Sequence, residues 1–159
     1  MNRKISMNII TRQAAVSDAV IIADFNASMA KETENLELDR ERLRKGTEAI
    51  LADSSKGIYF LAETDGKVVG QLMITYEWSD WRNATFWWIQ SVFVHPAYRK
   101  QGIFRSLYHH VESIARKRGD VCGLRLYVDQ SNNRARHTYE ELGMKSSHYQ
   151  MMDVDFVLK

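Results

Sequence analysis

The chain has a single cysteine, Cys122, among its 159 residues. It cannot build an internal disulfide framework or a cysteine-based zinc site. Proline occurs once, at Pro96, so there is no proline-rich linker, and no repeat or low-complexity segment is seen. No apolar run approaches the roughly 18 residues that a membrane span needs. The opening MNRKISMNII carries charge without the apolar stretch of a signal peptide. The five histidines, His95, His109, His110, His137 and His148, show no metal-ligand spacing. These absences predict a cytoplasmic protein with no membrane partner and no metal.

What is present fits one domain over residues 1–159, with 45% hydrophobic residues to fill a core. The formal net charge is +2, divided into a mildly acidic stretch up to residue 98 and a basic one after it. Nucleic-acid binding would need a stronger and more continuous basic face, and none is expected.

Read along the chain, MNIITRQA is an opening strand. Ser17 or Asp18 can cap a helix with Ile22, Phe25 and Met29 on one stripe. Asp39 can cap a second, with Leu43, Thr47, Ile50 and Leu51. GIYFLAE and KVVGQLMITYEWS are strands joined by Asp65-Gly66, a strong hairpin signal. In the second of them Leu72, Ile74 and Tyr76 alternate with Gln71, Met73 and Thr75. TFWWIQSVFVHP is apolar almost throughout, as expected of a strand covered on both faces, and Pro96 ends it. A helix after Gly102 carries Ile103, Leu107, Val111 and Ile114. VCGLRLYVD is a strand, NNRARHTYEELG a short helix ended by Gly143, and HYQMMDVDFVL a closing strand. The order β-α-α-β-β-β-α-β-α-β argues an α/β (α+β) fold with a mixed sheet flanked by helices.

The sequence HPAYRKQGIFRSLYHH sets a basic, glycine-containing turn directly before a helix. Gly102 permits a positive φ, and the amides of Gly102, Ile103, Phe104 and Arg105 can converge on one point. Arg99, Lys100 and Arg105 add full charges. The sum suits a diphosphate or similar polyanion. No Gly-Lys-Ser/Thr follows, which excludes a P-loop, and one glycine is too few for a dinucleotide fingerprint.

Downstream, Asn132, Ala135, Tyr139 and Gly143 recur in NNRARHTYEELGM. Together the two segments resemble the GNAT superfamily of acyl-CoA-dependent N-acetyltransferases. Its turn reads Arg/Gln-x-x-Gly-x-Gly/Ala, which Arg99, Lys100, Gln101, Gly102 and Ile103 follow, with Phe104 at the small position. Its later pattern reads Asn-x-x-Ala-x-x-x-Tyr-x-x-x-Gly-Phe, with Met144 in place of the final aromatic. The resemblance implies a central sheet splayed in the middle, about four flanking helices, and acetyl-CoA as cosubstrate. It implies that Val92, Phe93 and Val94 form the edge pairing with the pantetheine arm, and that Asn132, which also suits a helix N-cap, touches that arm. Phe104 is expected to turn away along the helix with Leu107.

An amine acceptor must lose a proton, and the departing thiolate is best given one. The resemblance makes Tyr139 the acid. Where many relatives carry a glutamate base this chain has Gln90, which can only orient water. Glu77 and Asp80, among the aromatics of YEWSDW, are the neighbouring candidates for the base, and a water chain is the alternative. Glu32, Glu34 and Glu37, with Tyr76, Trp78, Trp81, Trp87 and Trp88, suit a small cationic amine. An amino acid, an antibiotic or a protein N-terminus stays open as the acceptor. The reading is therefore an N-acetyltransferase, with a non-catalytic acyl-CoA-binding sensor as the alternative. The aromatic content permits a homodimer.

Overall fold

The hairpin signalled by Asp65-Gly66 forms with both residues at positive φ, 50° and 72°, as a two-residue type I′ turn requires. The structure is a computed structural model describing residues 7–158. The turn joins β2 (Ile58–Thr64) to β3 (Lys67–Ser79). β1 (Ile10–Gln13) pairs antiparallel with β2, and β4 (Ala84–Val94) antiparallel with β3. β5 (Val121–Leu126) lies parallel to β4. The sheet order is β1-β2-β3-β4-β5. A parallel pair needs a crossover, and α3 (Ile103–Lys117) supplies it. α1 (Ala19–Glu34) and α2 (Arg40–Ala52) fill the connection between β1 and β2. The described residues hold a mixed five-stranded sheet and, with α4 (Asn133–Glu141), four α-helices, the mixed sheet and the helix number that the sequence predicts.

Local chemistry sets several boundaries. Asp39 caps α2, its Oδ1 accepting from the Arg42 amide at 2.7 Å. Asp18, one of the two caps expected for α1 beside Ser17, stands at the N-cap position without a side-chain cap bond. Its carboxylate accepts two bonds from Arg12, at 2.8 and 2.9 Å, and one from the Ala15 amide at 2.7 Å. The guanidinium holds the Asp18 carboxyl below its usual range. Arg12 also reaches Glu63 at 2.7 Å, so one side chain ties β1 to β2 and to the entry of α1.

The two faces of the sheet bury different partners. Tyr59 and Leu61 pack with Ile22 of α1, and Ile50, Leu51 and Met73 close around them. On the opposite face Gly70, Leu72 and Ile74 look toward α3. Leu72, Ile74, Leu107 and Val111 are fully buried, each contributing about 1.5–3 kcal/mol by leaving water. Gly70 marks the closest approach of helix and sheet. A Cβ there would lie 2.7 Å from Ile103 Cγ2 and 3.3 Å from the Phe93 carbonyl oxygen. Gly70→Ala is accordingly expected to cost about 1–3 kcal/mol, read as a lower urea midpoint at unchanged m-value.

The described chain divides into two compact units, one closing at Leu126 and one opening at Tyr127. In the second, α4 ends at a left-handed Gly143, φ 88°. The closing strand expected from HYQMMDVDFVL is not formed. Residues 148–158 pair with no strand among the described residues, and Tyr149, Met151, Met152, Val154 and Phe156 are exposed. Alternation makes a segment fit to be a strand, but only a hydrogen-bonded neighbour makes it one.

Candidate functional site

Antiparallel register assigns the backbone groups of β4. His95 N–H donates to the Val69 carbonyl at 2.9 Å, and Gly70 stands opposite Val94, Gln71 opposite Phe93. Hydrogen-bonded and non-hydrogen-bonded pairs alternate. Phe93 therefore turns its N–H and C=O toward β3, and Val94 turns its own away. Of the three residues expected to form a free pairing edge, Phe93 is committed to the sheet. The parallel ladder to β5 ends at Ile89–Leu126, so from Gln90 to Val94 no β5 residue pairs with β4. An extended polar chain could pair there.

The ladder to β3 is broken at the same place. Register jumps between Gln71 and Met73, so that Leu72 faces both Ser91 and Val92. Ser91 adopts φ 49° inside the strand, a bulge of the kind that re-aims a backbone beside a site. A polar network supports it. Gln71, with no exposed surface, donates from Nε2 to the Ser91 carbonyl at 3.1 Å and to Asn26 Oδ1 at 2.8 Å. Asn26 donates in turn to Tyr59 Oη at 2.9 Å, and burial raises the Tyr59 phenol pKa. Gln71 Oε1 finds no partner among the described residues, a buried acceptor that costs about 1–3 kcal/mol. Sequence reading missed this network. Its one signal is a glutamine inside the apolar run KVVGQLMI.

The candidate proton-handling residues separate. Gln90 donates its amide to Thr75 Oγ1. Glu77 accepts from Arg125 on β5 through Oε2, and Arg125 stacks 3.6 Å over the Phe86 ring centroid. Asp80 belongs to the hairpin tip, where its Oδ1 accepts from the Trp81 amide at 2.9 Å. The expected desolvation by aromatics does not occur at that tip, since Trp78 and Trp81 expose 62% and 87% of their surfaces. Glu77 is thus the candidate carboxylate lying on the sheet.

The basic turn has the anticipated backbone. Lys100 and Gly102 take positive φ, 64° and 84°, and α3 opens at Ile103 with Gly102 as its cap. First-turn amides point out of a helix N-terminus, here one flanked by Lys100 and carrying Arg105 in its first turn. Gln101 folds back, donating to the Ala97 carbonyl at 3.0 Å. Phe104 follows the helix to Tyr108, ring centroids 6.2 Å apart, while Leu107 is buried elsewhere. The ring lies along the helix beside Tyr108. Arg99 donates to the Val94 carbonyl at 2.9 Å and to Glu32 at 2.7 Å, and lies over the Phe93 ring. Glu37 pairs with Lys31 at 3.0 Å. Two of the three glutamates expected to attract a cationic acceptor are therefore neutralised within the chain; the third, Glu34, is exposed.

In the second unit Asn132 acts as an N-cap, its Oδ1 accepting from the Ala135 amide at 3.0 Å. Tyr139 is half-buried on α4, and burial raises its phenol pKa. Among the described residues no group of three or more histidine, cysteine or carboxylate side chains could hold a metal ion. His110 packs edge-on to Phe60 at 5.5 Å, and burial lowers its pKa. No helix among the described residues is long and apolar enough to cross a membrane.

A sequence profile of the acetyltransferase (GNAT) family matches residues 23–144. A possible acetyltransferase from Clostridium difficile 630 shares 46% identity, with a TM-score of 0.86 over 94% of this chain and 98% of its own. A ribosomal-protein-alanine N-acetyltransferase from Brucella melitensis biovar Abortus 2308 shares the fold at 19% identity and TM-score 0.76, over 94% of this chain and all of its own. So does a predicted acetyltransferase from Clostridium acetobutylicum, solved with acetyl-CoA, at 15% identity and TM-score 0.74, over 93% of this chain and 96% of its own. No curated protein matches the chain.

Proposed function

Because this chain belongs to the acetyltransferase (GNAT) family, we propose that it moves an acetyl group from acetyl-CoA to a primary amine, by direct attack in a ternary complex, with residues 1–159 acting as one catalytic domain in the cytoplasm. The observation that carries the reading is the stretch of β4 beyond Ile89 that no β5 residue pairs, lying on the strand that leads into a left-handed basic turn and a helix N-terminus. The chain thus offers an extended polar partner for the pantetheine arm and a cluster of backbone donors for the diphosphate. Acetyl-CoA supplies the acetyl group already activated as a thioester.

The protein's own residues divide the remaining work. Val92 and the N–H of Val94, whose carbonyl Arg99 holds, form the pairing edge, and an N–H there polarises the carbonyl that will carry negative charge. Ile103, Phe104 and Arg105 supply main-chain donors at the diphosphate, and Lys100 and Arg105 add charge. Glu77 takes the ammonium proton, directly or through a water that Gln90 orients. Tyr139 gives a proton to the departing sulfur, and Asn132 steadies the arm while capping α4.

The sensor reading draws on Gln90, an amide in place of a base and already bonded to Thr75. One pair of measurements separates the two. A thermal shift with acetyl-CoA followed by amine-dependent thiol release is expected from the transferase. Binding without thiol release across a broad amine panel would leave the sensor. No thermal shift with acetyl-CoA would exclude both.

A further inference from the structure

Resting on the acetyl-transfer reading, we propose that the acceptor amine also carries a carboxylate, and that Arg125 recognises it. The arrangement starts from Gly123. A Cβ at that position would lie 2.8 Å from the Phe86 ring, so only glycine lets the ring occupy this space. The Arg125 guanidinium then lies flat on Phe86, 3.6 Å from its centroid, and crosses β4 to reach Glu77 on β3. Arg125 stands opposite Trp88, one position before the β4–β5 ladder ends. The Arg125 backbone thus stands near the end of the ladder, while its guanidinium leans back along β4 to the level of Phe86 and Glu77.

The pair is fixed but accessible. The side chains of Arg125 and Glu77 expose 38% and 43%, and among the described residues Glu77 is the ion-pair partner of Arg125. A stacked guanidinium has already lost most of its freedom and keeps a planar donor edge suited to a carboxylate. Glu77, with Oε1 beside the bonded Oε2, suits an ammonium. An amine bearing a carboxylate exchanges this internal ion pair for two external ones with no change in net charge. A polyamine would instead bring its second cation against Arg125, while Glu32 and Glu37 are engaged with Arg99 and Lys31.

The test compares amino acids with their decarboxylated counterparts, such as L-lysine with cadaverine and L-alanine with ethylamine, by thiol release from acetyl-CoA. The carboxylated member is expected to have a kcat/KM higher by about tenfold or more. Arg125→Gln is expected to lower kcat/KM for the carboxylated member by about 10- to 100-fold, bringing the ratio of the pair toward one. Arg125→Lys, which keeps the charge and loses the fork, falls between. Melting temperatures of both variants show that the fold persists, and Arg125→Lys carries the comparison if Arg125→Gln does not fold. An equal or reversed preference in the wild type would overturn the proposal, as would a preference that survives in both variants. Should no amine release thiol, the transferase reading fails on its own. Stabilisation of the CoA-bound protein by amino acids but not by their decarboxylated counterparts, weakened in Arg125→Lys, would then still support the carboxylate site, and its absence would overturn it.

Discussion

Replacing Tyr139 by Phe is expected to lower kcat by about 100- to 1,000-fold, the usual worth of a positioned general acid, while KM for acetyl-CoA changes little. The substitution removes one oxygen and keeps the ring, so packing on α4 is conserved and the melting temperature should move by only a few degrees. The protonation state supports the role. Burial raises the Tyr139 phenol above the usual value near 10.0, because the phenolate would lose more hydration than the neutral form. The group stays protonated through neutral pH and ionises only well into the alkaline range. A kcat–pH profile of the wild type should therefore fall at high pH as the acid is lost, and the Phe variant should lack that fall. A kcat unchanged by the substitution would remove Tyr139 from the chemistry and leave it a packing residue.

Local rules and long-range pairing were unequally legible in the sequence. Asp65-Gly66, Asp39, Gly102 and Gly143 each announce themselves because backbone conformation or an orphan N–H demands that residue type within a few positions. The helical stripes of α1 and α3 follow from periodicity in the same way, and the strand–helix–strand order of β4, α3 and β5 follows with them. The central bulge has no such signal. Ser91 takes a left-handed φ without being glycine or asparagine, and is held by Gln71, which is distant in sequence and alternates as though on an ordinary sheet face. The setting of Glu77 was half legible. Its type and neighbourhood suggested a base, but its partner Arg125 is 48 residues away, and no local pattern forecasts that pairing. The acidic connection between α1 and α2 misled for the same reason. Its charges looked available to a ligand until the fold brought Arg99 to Glu32. The closing segment failed from the opposite side, because alternation describes one strand and pairing requires two.

Substitution of Gly102 by Leu is expected to raise the Kd for acetyl-CoA by about 10- to 100-fold, that is by about 1.4–2.8 kcal/mol. Two effects combine. At φ 84° any side chain costs about 1–2 kcal/mol in backbone strain, which the chain relieves by rotating the turn and dispersing the amides that open α3. A bulky group also stands where a diphosphate must approach those amides. Gly102→Ala separates the two contributions. A Cβ at residue 102 would meet no protein atom within 4 Å, so Ala adds strain with little bulk, and its loss of stability reports the backbone term alone. Calorimetric titration should place Ala between wild type and Leu in affinity, while both variants show comparable losses in melting temperature. Equal stability losses with unchanged affinity would mean that the turn is strained for some other purpose and the diphosphate is held elsewhere. The comparison bears on Arg99 as well. Its guanidinium already holds the Val94 carbonyl and Glu32, so under the proposed function it is expected to serve the anion mainly by fixing the path of the turn, with the main-chain donors beyond Gly102 carrying the contact. Arg99→Gln should then weaken coenzyme binding less than Gly102→Leu, although it removes a full charge and Gly102→Leu removes none.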